Sequence, residues 1–333
     1  MGKIRTLKTV MYREKLYKRI VREVEQDILE GKYKVGDKIP SINSWRIRSG
    51  LSRSSVVLAM DELISRGLVE SEQSVGYFVS STRVEVTHRF LLIFNELNLF
   101  KQDLYHSILS SLGSGAVADI VFHNFNRETF EMLVEKMAGK YSVYLVMARF
   151  ENIEQQLRKL GGMVVLVDSC ADSVKGLFSS VTQSFADDTH DALVAGLTQL
   201  RKYNEIVLVQ SSPKEPKERY DGLQRFCREY GFECMLLKTM KDMPIRNGVV
   251  YLTPEDREIV NIMRSAEKQN LKEGEDFGLV AFNEQELNEI LCGGLTTIST
   301  DFVLMGKTAV NLVKEKGIRT IRNPWRLILR NSL

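Results

Sequence analysis

Cysteine is scarce in this 333-residue chain, and the four present are scattered at Cys170, Cys227, Cys234 and Cys292. No two of them have CxxC spacing, so the sequence indicates neither a zinc site nor a disulfide framework. Histidine is equally sparse. His88, His106, His123 and His190 show no spacing that would place two imidazoles on one metal, and no metal is expected. No apolar run approaches the roughly 18 residues needed to cross a bilayer. The first dozen residues are basic but have no signal-peptide core. The expectation is a protein of the reducing cytoplasm with no membrane partner. A P-loop and a GxSxG nucleophile elbow are both missing. Residues 113–118 (GSGAVA) satisfy GxGxxA, but they follow a helical pattern and precede a strand, the reverse of the dinucleotide-binding context. No catalytic constellation emerges, so neither an enzyme nor a cofactor is expected.

What is present is an ordinary globular composition, 44% apolar and 27% charged, in a chain long enough for two domains. The net charge of +3 hides an asymmetry. Residues 1–82 hold 15 Lys and Arg against 10 Asp and Glu, whereas residues 83–333 hold 31 against 33. A basic head on a near-neutral body suits phosphate contact at one end only.

The head reads as a DNA-reading device. Leu16, Ile20, Val24 and Ile28 recur every fourth residue and predict an amphipathic covering helix. Pro40 and Ser41 open a short helix that Gly50 closes. Ser52 is a natural N-cap for a second helix, with Val56, Met60 and Leu63 as its buried stripe and Gly67 as its end. That periodicity leaves Arg53, Ser54 and Ser55 exposed at the N-terminal end, where hydroxyls, a guanidinium and backbone N–H groups can meet a phosphate or a base edge. Residues 68–70 and 76–79 predict the two strands of a wing. Gly76 either serves the hairpin or lets the wing approach a sugar-phosphate edge.

On these residues, 12–80 resemble the winged helix-turn-helix head of the GntR family of bacterial repressors. The matching runs are Gly36 through Ser41, Leu51 through Val56, Leu63 through Val69, and Gly76 through Val79. The resemblance implies contact with a double-stranded DNA operator through Ser41, Asn43, Arg46, Arg48, Ser52, Arg53, Ser54, Ser55 and Gly76. Asn43 stands where the family usually has an arginine, and Arg46 or Arg48 is the available substitute.

From residue 89 onward, apolar runs at 90–94, 119–122, 143–147, 164–167, 206–209, 249–252 and 279–282 alternate with amphipathic segments at 130–137, 192–200, 223–230 and 259–266. Buried β-branched strands separated by helices imply parallel sheets covered on both faces, which bind ligands at the carboxyl ends of their strands. The body resembles the LacI-type sensor, itself similar to type I periplasmic sugar-binding proteins. The residues that carry this are Val167-Asp168-Ser169, Arg219 through Leu223, Val280 through Asn283, Leu295 through Ile298, Met305 through Ala309, and Leu329 through Ser332. The fold class implied is α/β, an N-terminal winged helix-turn-helix domain plus a two-lobed parallel-sheet domain of the periplasmic-binding-protein kind. The domain organisation expected is a DNA-binding head at 1–80, a linker at 81–88, and an effector-binding and dimerisation body at 89–333.

Carried over position by position, the resemblance implies an effector cleft lined by Asn95, Glu96, Phe100, Arg149, Asp168, Gln183, Ser184, Arg219 and Asn283. Arg, Asp and Asn groups beside an aromatic plane suit a polyhydroxylated ligand. Ser184 and Asn283 replace residues that are commonly acidic in the family, which favours a neutral ligand. The pairing of modules resembles arabinose-responsive repressors. The expectation is a homodimeric, ligand-controlled transcription repressor with a small-molecule sugar effector, L-arabinose first and another monosaccharide or sugar derivative second. A sugar-binding protein whose head makes protein contacts is the alternative from another class.

Overall fold

The computed structural model of the chain describes the backbone from Gly2 and the side chains from Leu16 onward, to Leu333. Two compact units emerge. One comprises residues Met1–Glu96, Leu109–Ser180 and Ala309–Arg319, the other Leu97–Ile108, Val181–Thr308 and Thr320–Leu333.

The head belongs to the first unit. Its elements are α1 (Gly2–Leu29), β1 (Lys38–Ile39), α2 (Ile42–Ser49), α3 (Arg53–Ser65), β2 (Val69–Glu72) and β3 (Gly76–Val79). The four-residue repeat on α1 does what its spacing predicts: Ile20, Val24 and Ile28 are buried against Trp45, Val56, Met60 and Leu63. Two glycines end the short helices, each in the left-handed region that other residues enter at a cost. Gly50 closes α2 at φ +65, and Gly67 follows α3 at φ +70. Behind Gly67, Leu68 N–H reaches Leu63 O at 3.0 Å and Gly67 N–H reaches Ile64 O at 2.8 Å, a Schellman closure that turns the chain into the wing. The wing pairs Val69 with Val79 and Glu72 with Gly76 in antiparallel register. A third strand, β1, joins on the far side of β3. The sequence pattern does not predict it, because two residues carry no alternation.

The body holds β4 (His88–Phe94), β5 (Ala116–Phe122), β6 (Val143–Ala148), β7 (Met163–Cys170), β8 (Ser179–Thr182), β9 (Glu205–Val209), β10 (Glu233–Leu237), β11 (Val249–Thr253), β12 (Gly278–Phe282), β13 (Thr296–Thr300), β14 (Thr320–Arg322) and β15 (Trp325–Ile328). They form two six-stranded sheets, ordered β14-β8-β7-β6-β4-β5 and β10-β9-β11-β12-β13-β15. The pairings of β4 with β5 and β6, of β6 with β7, and among β10, β9, β11, β12 and β13 are parallel. β15 runs antiparallel to β13. The seven apolar runs of the sequence all fall within these strands.

The second sheet shows why its strands lack polar alternation. Ile206, Leu208, Val250, Leu252 and Val280 pack one face against Leu223 and Phe226 of the helix Glu218–Tyr230. Val207, Val209, Val249, Tyr251 and Leu279 pack the other against Ile259, Ile262 and Ala266 of the helix Asp256–Gln269. With both faces covered, every position must be apolar. β13, reading Thr-Thr-Ile-Ser-Thr, is the exception, and all five residues are buried. The helical segment expected at 192–200 is broken at Gly196 into Phe185–Ala195 and Leu197–Leu200. Among the described residues, no helix is long and apolar enough to cross a membrane.

Gly222 is where helices Phe185–Ala195 and Glu218–Tyr230 touch. A Cβ there would lie 2.2 Å from the Ala186 carbonyl oxygen. Since that obstacle is backbone, Gly222→Ala must push the two helices apart, at a cost of about 1–3 kcal/mol or more. A lowered midpoint in thermal unfolding is expected. An unchanged midpoint would mean that the helices separate freely.

Candidate functional site

In the head, Ser52 organises the start of α3. Its hydroxyl oxygen accepts the Ser55 N–H at 3.2 Å and lies 2.9 Å from the hydroxyl oxygens of both Ser54 and Ser55. Arg53 and Ser54 are exposed beside this cap, as the periodicity predicts. Ser55 is a correction. It is 3% exposed, because the third position of the helix turns its side chain under the cap, so its hydroxyl serves Ser52 and not a groove.

Ser41 caps α2 in the same way, accepting Ser44 N–H at 3.2 Å. Asn43 and Arg46 lie together on the exposed side of α2, with 3.5 Å between Asn43 Oδ1 and Arg46 Nη1. Arg48 points elsewhere. It forms an ion pair with Glu23 of α1, and its guanidinium carbon lies 5.2 Å from the centre of the buried Trp45 ring. Of the two arginines, Arg46 is the one beside Asn43. Gly76 lies at φ +147, a conformation that L side chains rarely adopt, and the flexible end of Lys38 passes 2.7 Å from where its Cβ would stand. Lys38 crosses that gap to bring its ammonium within 5.8 Å of the Phe78 ring centre, a cation on the wing that the sequence reading did not single out.

In the first unit, the candidate ligand residues sit where parallel strands end. Asn95 follows β4 and is buried, and its Oδ1 accepts the Glu96 N–H at 2.8 Å. Arg149 follows β6 and is half-buried. Asp168 does not end its strand as the sequence suggested. β7 runs on to Cys170 across an irregularity, pairing Leu166 with Val146 and then Cys170 with Ala148. Asp168 occupies that bulge at φ +67 and is 6% exposed. Bulges re-aim side chains beside functional sites.

An aromatic group at the same strand ends had no sequence signal. His123 follows β5, is buried, and bonds the Met147 carbonyl through Nε2 at 2.8 Å. Phe150 and Phe125 stand edge-on to its ring at 5.2 and 6.3 Å. Phe125 also has a left-handed backbone, φ +58, an outlier for so bulky a residue.

The second unit gathers its candidates in the same position. Asn283 follows β12, is 7% exposed, and lies at φ +68, held by its N–H to Ile298 O at 2.9 Å. Each unit thus carries one buried polar residue in a strained conformation where a core strand ends or breaks. Such outliers cluster at ligand sites. Arg219 is 4% exposed near the start of its helix. It ion-pairs with Glu215, one turn upstream. Its guanidinium carbon lies 4.4 Å from the ring centre of Phe282 and 5.6 Å from that of Phe185.

Ser184 precedes the helix Phe185–Ala195 and donates its hydroxyl to Asp187 at 2.7 Å. Asp188 of that helix accepts both Arg322 Nε and Nη2, at 2.8 and 2.6 Å. Burial nonetheless holds the Asp188 carboxyl above its ordinary range. Gln183 is half-buried after β8. Phe100 stacks on Phe302 with ring centres 5.2 Å apart. The run at 329–332 is structural: Arg330 ion-pairs with Glu284, and the buried Ser332 hydroxyl donates to Leu279 O at 2.6 Å. Cys227 is a packing group, because burial, with Cys234 nearby, pushes its thiol up to about 12.

The protein is thus a winged helix-turn-helix head joined to a parallel-sheet α/β body. Residues 16–79 match the family model described as bacterial regulatory proteins, gntR family. The chain is 31% identical over 81 residues to the mannosyl-D-glycerate transport/metabolism system repressor of Escherichia coli (strain K12), 24% of this chain and 34% of that protein. It therefore spans about a third of the curated relative it matches. The body is similar in fold to a LacI family transcriptional regulator from Silicibacter pomeroyi (TM-score 0.62, 17% identity, 73% of this chain and 98% of that one). It is also similar to one from Enterococcus faecalis V583 with bound ribose (TM-score 0.60, 19% identity, 73% and 98%). The head is a winged helix-turn-helix matched by the gntR family model, and the body is similar in fold to LacI family regulators.

The Ser52 cap supplies one of the acceptors that the first turn of α3 requires. Ser52→Ala is expected to cost about 1 kcal/mol of stability. Arg53→Ala, one residue on and exposed, should leave stability unchanged. Urea unfolding of both variants in a Trp325→Phe background, followed by the emission of Trp45, separates the two, and equal midpoints would contradict the capping role.

Proposed function

We propose that this chain is a DNA-binding transcription regulator, acting as a repressor, whose operator affinity is set by a sugar. The division is that expected from the sequence: a DNA-binding head at 1–80, a connection at 81–88, and an effector-binding body at 89–333 that also holds a homodimer together. The observation that carries the reading is the capped, exposed N-terminal end of α3 beside a wing, on a chain whose body has the sensor fold. Ser41, Asn43, Arg46, Ser52, Arg53 and Ser54 are the operator-facing residues. Asn95, Glu96, Phe100, Arg149, Asp168, Gln183, Ser184, Arg219 and Asn283 are the sugar-recognising residues. Chemistry supports this, since carboxylate, amide and guanidinium groups together match both the donors and the acceptors of sugar hydroxyls. L-arabinose is the first effector to test, on the strength of the resemblance. Ribose and D-xylulofuranose, named in the descriptions of structures similar in fold, belong in the same panel.

The deciding experiment joins two measurements on the full chain. Selection from random duplex DNA should yield an inverted repeat, because a homodimer reads two half-sites related by its two-fold axis. A thermal-shift panel of monosaccharides should identify the effector, since ligand at 100 times its Kd stabilises the native state by about 2.7 kcal/mol. No enriched DNA sequence would remove the regulator reading.

Arg53→Ala should weaken binding to the selected operator by about tenfold or more, in line with the roughly 1–3 kcal/mol of a bidentate base contact. Gel-shift titration checks it, and wild-type affinity would take Arg53 out of the interface.

Arg219→Lys should weaken sugar binding while operator affinity stays near normal. An ammonium cannot reproduce the flat guanidinium against Phe282 or donate two parallel bonds to adjacent hydroxyls. Calorimetry with the panel's best sugar checks this. Coupling between the two sites should be reciprocal, on the order of 1–3 kcal/mol, with sugar releasing DNA and operator weakening sugar binding by the same factor. Equal sugar affinities with and without operator would leave the sites uncoupled.

A further inference from the structure

The stretch that joins the head to the first sheet is fastened along its length. Ser80 N–H and Ser81 N–H both point at Leu68 O, at 2.9 and 3.4 Å, and the Ser80 hydroxyl donates to Gly67 O at 2.9 Å. Val84 packs on the head's core, and Val86 is buried. Between them lies the guanidinium of Arg66, the residue that ends α3. Its Nη2 donates to Val84 O at 3.0 Å and its Nε to Val86 O at 2.9 Å. Two acids hold the same group: Glu25 of α1 at 2.5 Å and Glu62 of α3 at 3.5 Å. Glu62 in turn accepts the Tyr17 hydroxyl at 2.8 Å and Lys18 Nζ at 2.7 Å. The Arg66 side chain is only 8% exposed.

One residue beyond Val86 the chain is bound to the body. Thr87 N–H, the Thr87 hydroxyl and His88 N–H all donate to the Gly115 carbonyl, at 2.7, 3.0 and 3.1 Å. Gly115 has no room for a side chain: a Cβ would lie 2.9 Å from Thr87 Oγ1 and 3.0 Å from the Glu85 carbonyl. This gives the GxGxxA run a purpose unrelated to nucleotides. Arg89 completes the attachment. It pairs with Asp119 at 2.7 Å, lies 4.6 Å from the Tyr141 ring centre, and places Nη1 3.1 Å from where a Gly67 Cβ would stand.

From these contacts we infer that Arg66 is a positioning residue that holds the connecting segment to the head, and that Gly115 holds its next residues to the body, so that α3 and the first sheet turn as one rigid piece. The meaning for regulation rests on the DNA-binding reading above. An effector-driven rotation of that sheet reaches the reading helix undiminished, because no slack lies between them. The rigidity itself is testable without DNA or sugar.

The chain has two tryptophans, Trp45 in the head and Trp325 in the second unit. In a Trp325→Phe background, Trp45 alone reports, and its burial keeps the ring from moving independently. Time-resolved anisotropy should then decay only at the slow tumbling rate of the whole protein. Adding Arg66→Ala or Gly115→Val should introduce a fast component, that of an independently tumbling small domain. A fast component already present in the Trp325→Phe chain overturns the proposal, as does its absence from Gly115→Val. Should Arg66→Ala unfold the head, seen as a red-shifted Trp45 emission, Gly115→Val decides, since its change lies on the body side. On the selected operator, two base pairs added between half-sites should cost the rigid chain about tenfold in affinity and the Gly115→Val chain less than about threefold. Equal losses count against the proposal. A chain that selects no DNA fails the functional reading and leaves the anisotropy result standing.

Discussion

A guanidinium buried at the end of α3 sets the terms for the head and its attachment. Arg66 cannot lose its charge, and five N–H donors cut off from water must each find an acceptor or cost free energy. Glu25 and Glu62 satisfy the charge, and the carbonyls of Val84 and Val86 accept from Nη2 and Nε. The dependence runs both ways. Those two carbonyls belong to a connecting segment with no sheet partner there, so without Arg66 they would be buried and unpaired. The connection therefore stays put for the same reason that the helix does. A short polar stretch that reads as a tether becomes a strut.

Much of the fold was legible because burial leaves periodic marks. The four-residue repeat on α1, the serine caps at Ser41 and Ser52, and the glycines at 50 and 67 each answer a local geometric demand, so residue type alone announces them. The body's central strands were legible for a different reason: they are covered on both faces, which forces continuous apolar runs. What escaped the reading lies where those demands lapse. β10 is an edge strand with exposed residues, and β1 is too short to alternate. β13 is fully buried yet made of threonine and serine, and its hydroxyls are bonded locally, as Thr297 is to Glu284 and Thr296 to the Arg330 carbonyl. A polar sequence can fill a core strand when its neighbours bring the partners.

The candidate site was legible in residue type and less so in direction. Ser55 and Arg48 both suit DNA contact by chemistry, but one is turned under a cap and the other is drawn to Glu23 and Trp45. Orientation depends on partners that are distant in sequence, and periodicity cannot see them. Arg219 illustrates the same limit: its acid lies in the preceding turn, and its flat surfaces come from Phe185 and from Phe282 on another element. The bulge at Asp168 was invisible for a further reason. It depends on register between β6 and β7, which no single strand encodes. His123 and Phe150 went unremarked because a lone histidine beside phenylalanines is indistinguishable, in sequence, from core packing.

Charge shows why the strut matters to recognition. The head's excess of five positive charges looks like a DNA-binding surface, yet Lys18, Lys32, Arg48 and Arg66 are each paired with acids inside the head. Lys18, Arg48 and Arg66 tie α1 to the helices packed on it, Lys32 closes the end of α1, and only Arg66 is withdrawn from solvent. Among the described residues, Arg46, Arg53 and Lys38 are the foremost exposed cations beside α3 and the wing. Non-specific affinity grows with the number of phosphates neutralised, so on the proposed reading a single head would bind DNA weakly. On the proposed reading, discrimination would come from base edges at two half-sites engaged together, and that gain would survive only while the spacing between the two copies of α3 is held. A loosely tethered head would relax the spacing and lose the discrimination. On that reading, a head anchored through Arg66 and Gly115 keeps it, and would pass a rotation of the first sheet directly to α3.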